Sequence, residues 1–186
     1  GEDRERTAFD TCSYFLRFDP KKKTWTESSR VRSPNGNLQP APVQISDDYL
    51  VAYCRPGGDF EPNKNRFVIR TESRDGGRTW TKGTNSEFRN PNSAVDFIKL
   101  ENGHLLLVYN DTRKGRNSLA VSLSDDEGAT WKWTRHLEKQ ELGSYHYPAV
   151  IQAKDGSIHA VYSYFVKEGK SMKHARFNEV WVKQGD

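Results

Sequence analysis

The amino-acid sequence predicts an all-β fold, a β-propeller assembled from four-stranded antiparallel blades. Three observations predict it. A glycine-containing box, S-x-D-x-G-x-T-W, occupies residues 73–80 and recurs at residues 124–131. A pair of apolar runs joined by a short turn occurs at about residues 42–53, 97–109 and 149–162, alternating with the boxes. Both patterns step by roughly fifty residues, the length of one four-stranded blade.

Residues 11–27 come first. They close on Thr24-Trp25, a worn box, and read as the last two strands of an earlier blade, a half blade. The run Lys21-Lys22-Lys23 at their turn is a solvated tip that discourages edge pairing. Blade one spans residues 38–82, with strands A to D at about 39–46, 49–55, 66–72 and 79–82. Blade two spans 92–135 and blade three 146–183, with the same four strands in each. Asn102-Gly103 and Asp155-Gly156 mark tight A–B turns, because such turns require positive φ. The runs are short, β-branched or aromatic, and lack a helical period, so no substantial helix is predicted. Inside each box the aspartate accepts backbone N–H groups of its own turn, and the tryptophan packs between sheets. Asp75 and Asp126 are therefore turn residues and not acids of a reaction. Each box also offers too few carboxylates for calcium.

Composition narrows the function classes. The chain has 186 residues, 34% of them hydrophobic. Its mean hydropathy is −0.91. The core is therefore thin, but 9 Phe, 5 Trp and 8 Tyr bury much area per residue. The longest apolar run, residues 105–109, falls far short of the ~20 residues of a spanning helix, so no membrane is expected as a partner. Lys and Arg number 29 against 25 Asp and Glu, a scattered net charge of +4. No nucleic-acid motif accompanies that charge, so no nucleic acid is expected and a small anionic ligand fits better. Cys12 and Cys54 are too few for a disulfide framework and read as two small buried hydrophobes. No metal and no cofactor is expected.

The meander itself assigns a ligand face. Strands alternate direction, so the A–B turns and the boxes lie at one end of the blades. The starts of A, the ends of B and the starts of C lie at the other. Gln39 opens strand A of blade one, beside Arg55 at the end of strand B. Arg116 opens strand C of blade two, and Tyr147 opens strand A of blade three, next to His146. Asn92, Asn110 and Asp111 share that end. Strand A is innermost in a propeller, so this end surrounds the central axis.

The boxes resemble the Asp-boxes, or BNR repeats, of the sialidase superfamily. The resemblance implies a six-bladed ring, of which this chain is similar to the C-terminal half, about three and a half blades. It also implies roles for single residues. Sialidases clamp the substrate carboxylate with three arginines and use a tyrosine nucleophile, a glutamate as its base and an aspartate acid/base. Tyr53-Cys54-Arg55 resembles the site of the second clamp arginine. Arg116, eight residues before Ser124, resembles the third. Tyr147, eight residues before Asp155, resembles the nucleophile. The position eight before Asp47, where the glutamate belongs, holds Gln39. The first arginine and the acid/base belong to the family's N-terminal half.

Guanidinium forks bind carboxylates bidentately, and a tyrosine nucleophile is a known exception to the two-carboxylate glycosidase scheme. A phenol of ordinary pKa, about 10, needs a base nearby, and Gln39 cannot take a proton. The expectation is therefore an impaired attack, unless Asp96 or Asp111 substitutes. The resemblance implies a sialidase-like glycoside hydrolase, or the C-terminal half of one, acting on an acidic sugar or glycan. The alternative is a non-catalytic carbohydrate-binding Asp-box propeller. Each site residue keeps a second reading. Arg55 pairs with Asp59 or Glu61, Arg116 with Asp111, Tyr147 packs by Tyr145, and His146 is a hydrogen-bonded structural histidine or a sugar contact. Asn92 and Asp111 are sugar hydrogen-bonders or loop caps. Three and a half blades do not close a ring, so the missing N-terminal half or a second copy is expected to complete it.

Overall fold

The computed structural model describes residues 11–58 and 66–186. Its strands run in chain order as β1 (Leu16–Asp19), β2 (Thr24–Glu27), β3 (Asn37–Gln44), β4 (Leu50–Pro56), β5 (Phe67–Ser73), β6 (Thr84–Arg89) and β7 (Asp96–Lys99). They continue as β8 (Leu105–Tyr109), β9 (Ser118–Ser124), β10 (Trp133–Lys139), β11 (Ser144–Gln152), β12 (Ile158–Val166) and β13 (Gly169–Phe177), followed by the helix α1 (Glu179–Lys183). Sequential strands pair antiparallel into a ribbon β1–β2, two four-stranded sheets β3–β6 and β7–β10, and a three-stranded sheet β11–β13. No sheet closes on itself among the described residues.

The innermost strands meet side by side: β7 touches β3 on one side and β11 on the other. Between successive sheets lie three apolar seams. Phe15, Val31, Ala52 and Trp80 join the ribbon to β3–β6. Tyr53, Phe88 and Phe97 meet Leu105, Leu107 and Tyr109 between the two four-stranded sheets. Leu106, Val108, Leu119 and Val121 meet Tyr145, Ile158 and Tyr162 between β7–β10 and β11–β13. Side chains alternate across a strand, so the unbroken apolar run of β8 sends Leu105 and Leu107 to one seam and Leu106 and Val108 to the other. The end sheets lack such covers. Leu16, Phe18 and Trp25 of the ribbon are exposed, as are Ile151, Val161 and Met172 of β11–β13.

The boxes fold as turns. Asp75 Oδ1 accepts the Arg78 and Thr79 amides at 2.9 Å each, and Oδ2 accepts the Thr79 hydroxyl at 2.6 Å. Asp126 holds the Thr130 amide at 2.8 Å and its hydroxyl at 2.5 Å. Gly77 and Gly128 take φ of 81° and 82°, which L side chains rarely adopt. The Gly76 amide donates to Asp48 O at 2.9 Å, so the box and the A–B turn lie at the same end.

Four expectations are corrected. Strand D of blade one starts at Thr84, not 79, because Thr79 is captured by Asp75 and Trp80 turns back to donate Nε1–H to Gly77 O at 3.2 Å. The same lag carries blade two past 135, to Lys139. Blade three has three strands, not four. Its last segment is a helical turn, because Asn178 Oδ1 accepts the Trp181 amide at 2.9 Å and caps α1. Of the two cysteines, both free, Cys54 is buried and Cys12 only half-buried. Burial pushes the Cys54 thiol up to about 12.

Candidate functional site

The site is built at the end opposite the boxes. Ladder pairing sets Leu38 against Arg55 and then skips Gln39 before resuming at Pro40. The same irregularity in β11 falls between His146 and Ala149, around Tyr147-Pro148. Proline has no N–H to offer a ladder, so the strand bulges and re-aims the residue before it. Gln39 and Tyr147 accordingly sit at φ of 49° and 51°. Asn92, at the entry to the intervening inner strand β7, has φ of 68°. Five non-glycine residues adopt positive φ among those described; Lys23 and Glu127 lie in turns, and the other three line this one end. Backbone held in a sparsely populated region clusters at functional sites.

These residues are brought together. Arg55, 3% exposed, donates Nε–H to Asn92 Oδ1 at 2.7 Å and Nη1–H to Gln39 Oε1 at 3.1 Å. Arg116 donates from Nη2 to the Asn92 carbonyl at 3.2 Å and from Nη1 to His146 Nδ1 at 2.5 Å. The Arg116 guanidinium lies 5.8 Å from the centre of the Tyr147 ring, which is 44% exposed. Ser144 Oγ bonds His146 Nε2 at 2.7 Å. Burial first, and the Arg116 charge second, hold the His146 pKa down to about 4, so its ring is neutral over the ordinary range.

Other expected contacts fall elsewhere. Asn92 is fully buried, its amide committed to Arg55 and, through Nδ2, to Gly58 O at 3.2 Å. It is a strut under the arginines and not a surface for sugar. Asp111 turns to the outer strands, pairing with Arg89 at 3.3 Å and His136 at 3.6 Å in a polar cleft of about 310 Å³. Asp96 bonds the Val150 amide at 2.7 Å and the Phe97 amide at 3.0 Å, tying β7 to β11, and burial raises its pKa. Asn110, fully buried, ties the arginine loop to β11 through Ser118 O at 2.9 Å and Tyr145 O at 3.2 Å. Asp59 and Glu61 lie outside the described residues. Arg66 was not singled out by the sequence: it is buried, and its Nη1 donates to Pro91 O at 3.2 Å, bracing the turn into Asn92. Only its position beside Phe67 at the start of a strand could have marked it. No group of three or more metal-ligating side chains occurs among the described residues.

A family model described as the BNR repeat-like domain matches residues 7–160. The chain belongs to that BNR repeat-like family. Its sheets superpose on part of the sialidase fold. The leech intramolecular trans-sialidase complexed with 2,7-anhydro-Neu5Ac superposes with a TM-score of 0.73 at 17% identity, over 92% of this chain and 28% of that one. The NanB sialidase of Streptococcus pneumoniae gives 0.74 at 18%, over 93% and 28%. The GH93 α-L-arabinofuranosidase of Fusarium graminearum, in complex with arabinobiose, gives 0.60 at 18%, over 76% and 45%. The BNR chain thus spans less than half the length of these structures. No curated protein matches it by sequence.

Proposed function

We propose that this BNR chain carries part of a sialidase-like glycoside hydrolase site for an acidic sugar, with Arg55 and Arg116 as the carboxylate clamp and Tyr147 as the nucleophile at its opening. One observation carries the reading. Two guanidinium groups share Asn92 at the axial end, and the exposed tyrosine stands beside one of them. Two fixed forks suit a carboxylate better than a neutral sugar. The sugars bound in the matched structures support a carbohydrate ligand. The test is a titration with a sugar acid. Arg55→Ala and Arg116→Ala should each weaken binding at least tenfold, since truncating one partner of a hydrogen-bonded charge pair costs about 2–5 kcal/mol. Unchanged affinity removes the clamp.

A second reading, a carbohydrate-binding propeller without turnover, is favoured by Gln39. The residue in the glutamate's place accepts from Arg55 and takes no proton. Asp96, the substitute on inner strand β7, is committed to two backbone amides. Binding without hydrolysis on a panel of sialosides and uronides favours this reading; hydrolysis lost in Tyr147→Phe excludes it.

The exposed apolar faces of the ribbon and of β11–β13 support a ring completed by further blades, from the missing half or from a second copy. Light scattering separates the two, because a monomer excludes the second copy.

A further inference from the structure

Arg116 is held from two sides, and one holder has a protonation state that chemistry dictates. Arginine offers donors only and keeps its charge. His146 Nδ1, 2.5 Å from Arg116 Nη1, must therefore present a lone pair. The ring proton then resides on Nε2, which donates to Ser144 Oγ at 2.7 Å. Phe165 packs on the ring with centroids 4.9 Å apart. Arg116, His146 and Ser144 form one directional chain that starts at Arg116, beside the exposed Tyr147 ring, and ends at Ser144.

We infer that His146 is a positioning residue: as the neutral Nε2–H imidazole it holds the Arg116 guanidinium in place for the ligand's carboxylate, and protonation at Nδ1 releases it. The inference rests on the clamp reading above. A proton on Nδ1 removes the acceptor and sets a second positive charge against the guanidinium. The groups facing the ring are Arg116 from the loop before β9, Ser144 and Tyr147 on β11, and Phe165 on β12. Lys170 on β13 lies 5.2 Å from the Phe165 ring. Among these described contacts no carboxylate faces His146 to favour its charged form. The clamp therefore stays set through neutral pH and loosens as pH falls through about 4.

The experiment is calorimetric titration of the chain with free N-acetylneuraminic acid from neutral pH to below about 4, beside nitrogen NMR of the His146 ring. The spectrum should show the Nε2–H tautomer, and Arg116→Ala should let the ring protonate at higher pH. His146→Ala should lose about tenfold in affinity at neutral pH, the worth of a charge-assisted hydrogen bond. His146→Gln supplies an amide oxygen for Arg116 and an amide N–H for Ser144. It should recover most of that loss and remove the acid limb. The inference is overturned if His146→Ala binds as tightly as the unaltered chain, if the Nδ1–H tautomer is found, or if His146→Gln keeps the acid limb. Should the unaltered chain bind nothing, or Arg55→Ala and Arg116→Ala leave binding intact, the clamp itself falls and this inference with it. Binding lost in Arg116→Ala but untouched in His146→Ala sinks the inference alone.

Discussion

Asn92 accepts Arg55 Nε through its side-chain oxygen at 2.7 Å, across the seam between sheets β3–β6 and β7–β10. Its main-chain carbonyl takes Arg116 at 3.2 Å, so one buried residue sets the spacing of both guanidinium groups. Its left-handed backbone, φ 68°, makes both contacts from one place.

Two substitutions at Asn92 separate its amide from its conformation. Asn92→Gly keeps the positive φ and the carbonyl but loses the bond to Arg55. It should weaken sugar-acid binding about tenfold, since a hydrogen bond to a charged group contributes about 1.5–3 kcal/mol. Asn92→Ala adds backbone strain and should also lower the melting temperature. Calorimetry on both variants, with thermal scans, checks the order.

The boxes make an acid-stability prediction. Hydrogen bonds from Thr130, first its hydroxyl and then its amide, hold Asp126 down to about 2, and the equivalent Thr79 contacts depress Asp75 further. A carboxylate whose pKa is lower folded than unfolded contributes stability above the unfolded value, about 4, that disappears as pH falls through the folded one. The melting temperature should hold steady above about pH 5 and decline between about 4 and 2. Asp126→Ala should start lower and decline less steeply. Circular dichroism melts at several pH values read both slopes.

Those boxes were the most legible part of the chain, because serine, aspartate, glycine and threonine make the turn among themselves and need no distant partner. The A–B hairpins were legible for the same reason at Asn102-Gly103 and Asp155-Gly156. The outer strands were not. β6 reads Thr-Asn-Ser-Glu-Phe-Arg, one buried side chain in six, while Thr79-Trp80 looks like a strand and belongs to the box. Residues 179–183 hold a short β-prone apolar run, Val180-Trp181-Val182, but the cap at Asn178 lies outside any strand pattern. At the site, strand direction alone placed Arg55, Arg116 and Tyr147 at one end. The burial of Asn92 and the turning of Asp111 to Arg89 and His136 depend on side-chain directions in loops, which spacing does not encode.

The double-sided burial of β8 predicts where the fold is least tolerant. Leu106 is fully buried between two sheets, among Tyr145, Ile158 and Tyr162. Leu106→Ala should cost about 2–5 kcal/mol, the transfer term plus the cavity left behind. Met172→Ala, on the exposed face of β13, should fall within about 0.5 kcal/mol of the unaltered chain. Urea unfolding of the two variants makes the comparison.

Gln39→Glu decides between turnover and binding alone. Gln39 Oε1 already accepts from Arg55 Nη1 at 3.1 Å, so a carboxylate of the same reach has a ready cation beside it. That cation favours the ionised form, which lowers its basicity but keeps it able to take a phenol proton. General-base assistance contributes about 10²–10⁴-fold, so hydrolysis of a fluorogenic sialoside should rise by at least about a hundredfold. The same carboxylate partly neutralises Arg55 and repels an acidic ligand, so KM should rise while kcat increases. Tyr147→Phe in that background should abolish the gain, because the attacking oxygen is gone. A rise that survives Tyr147→Phe would assign the chemistry to another group. Sugar-acid binding with no rise at all would leave Tyr147 as a contact at the mouth of a binding propeller, its ring beside Arg116 and its phenol proton in place.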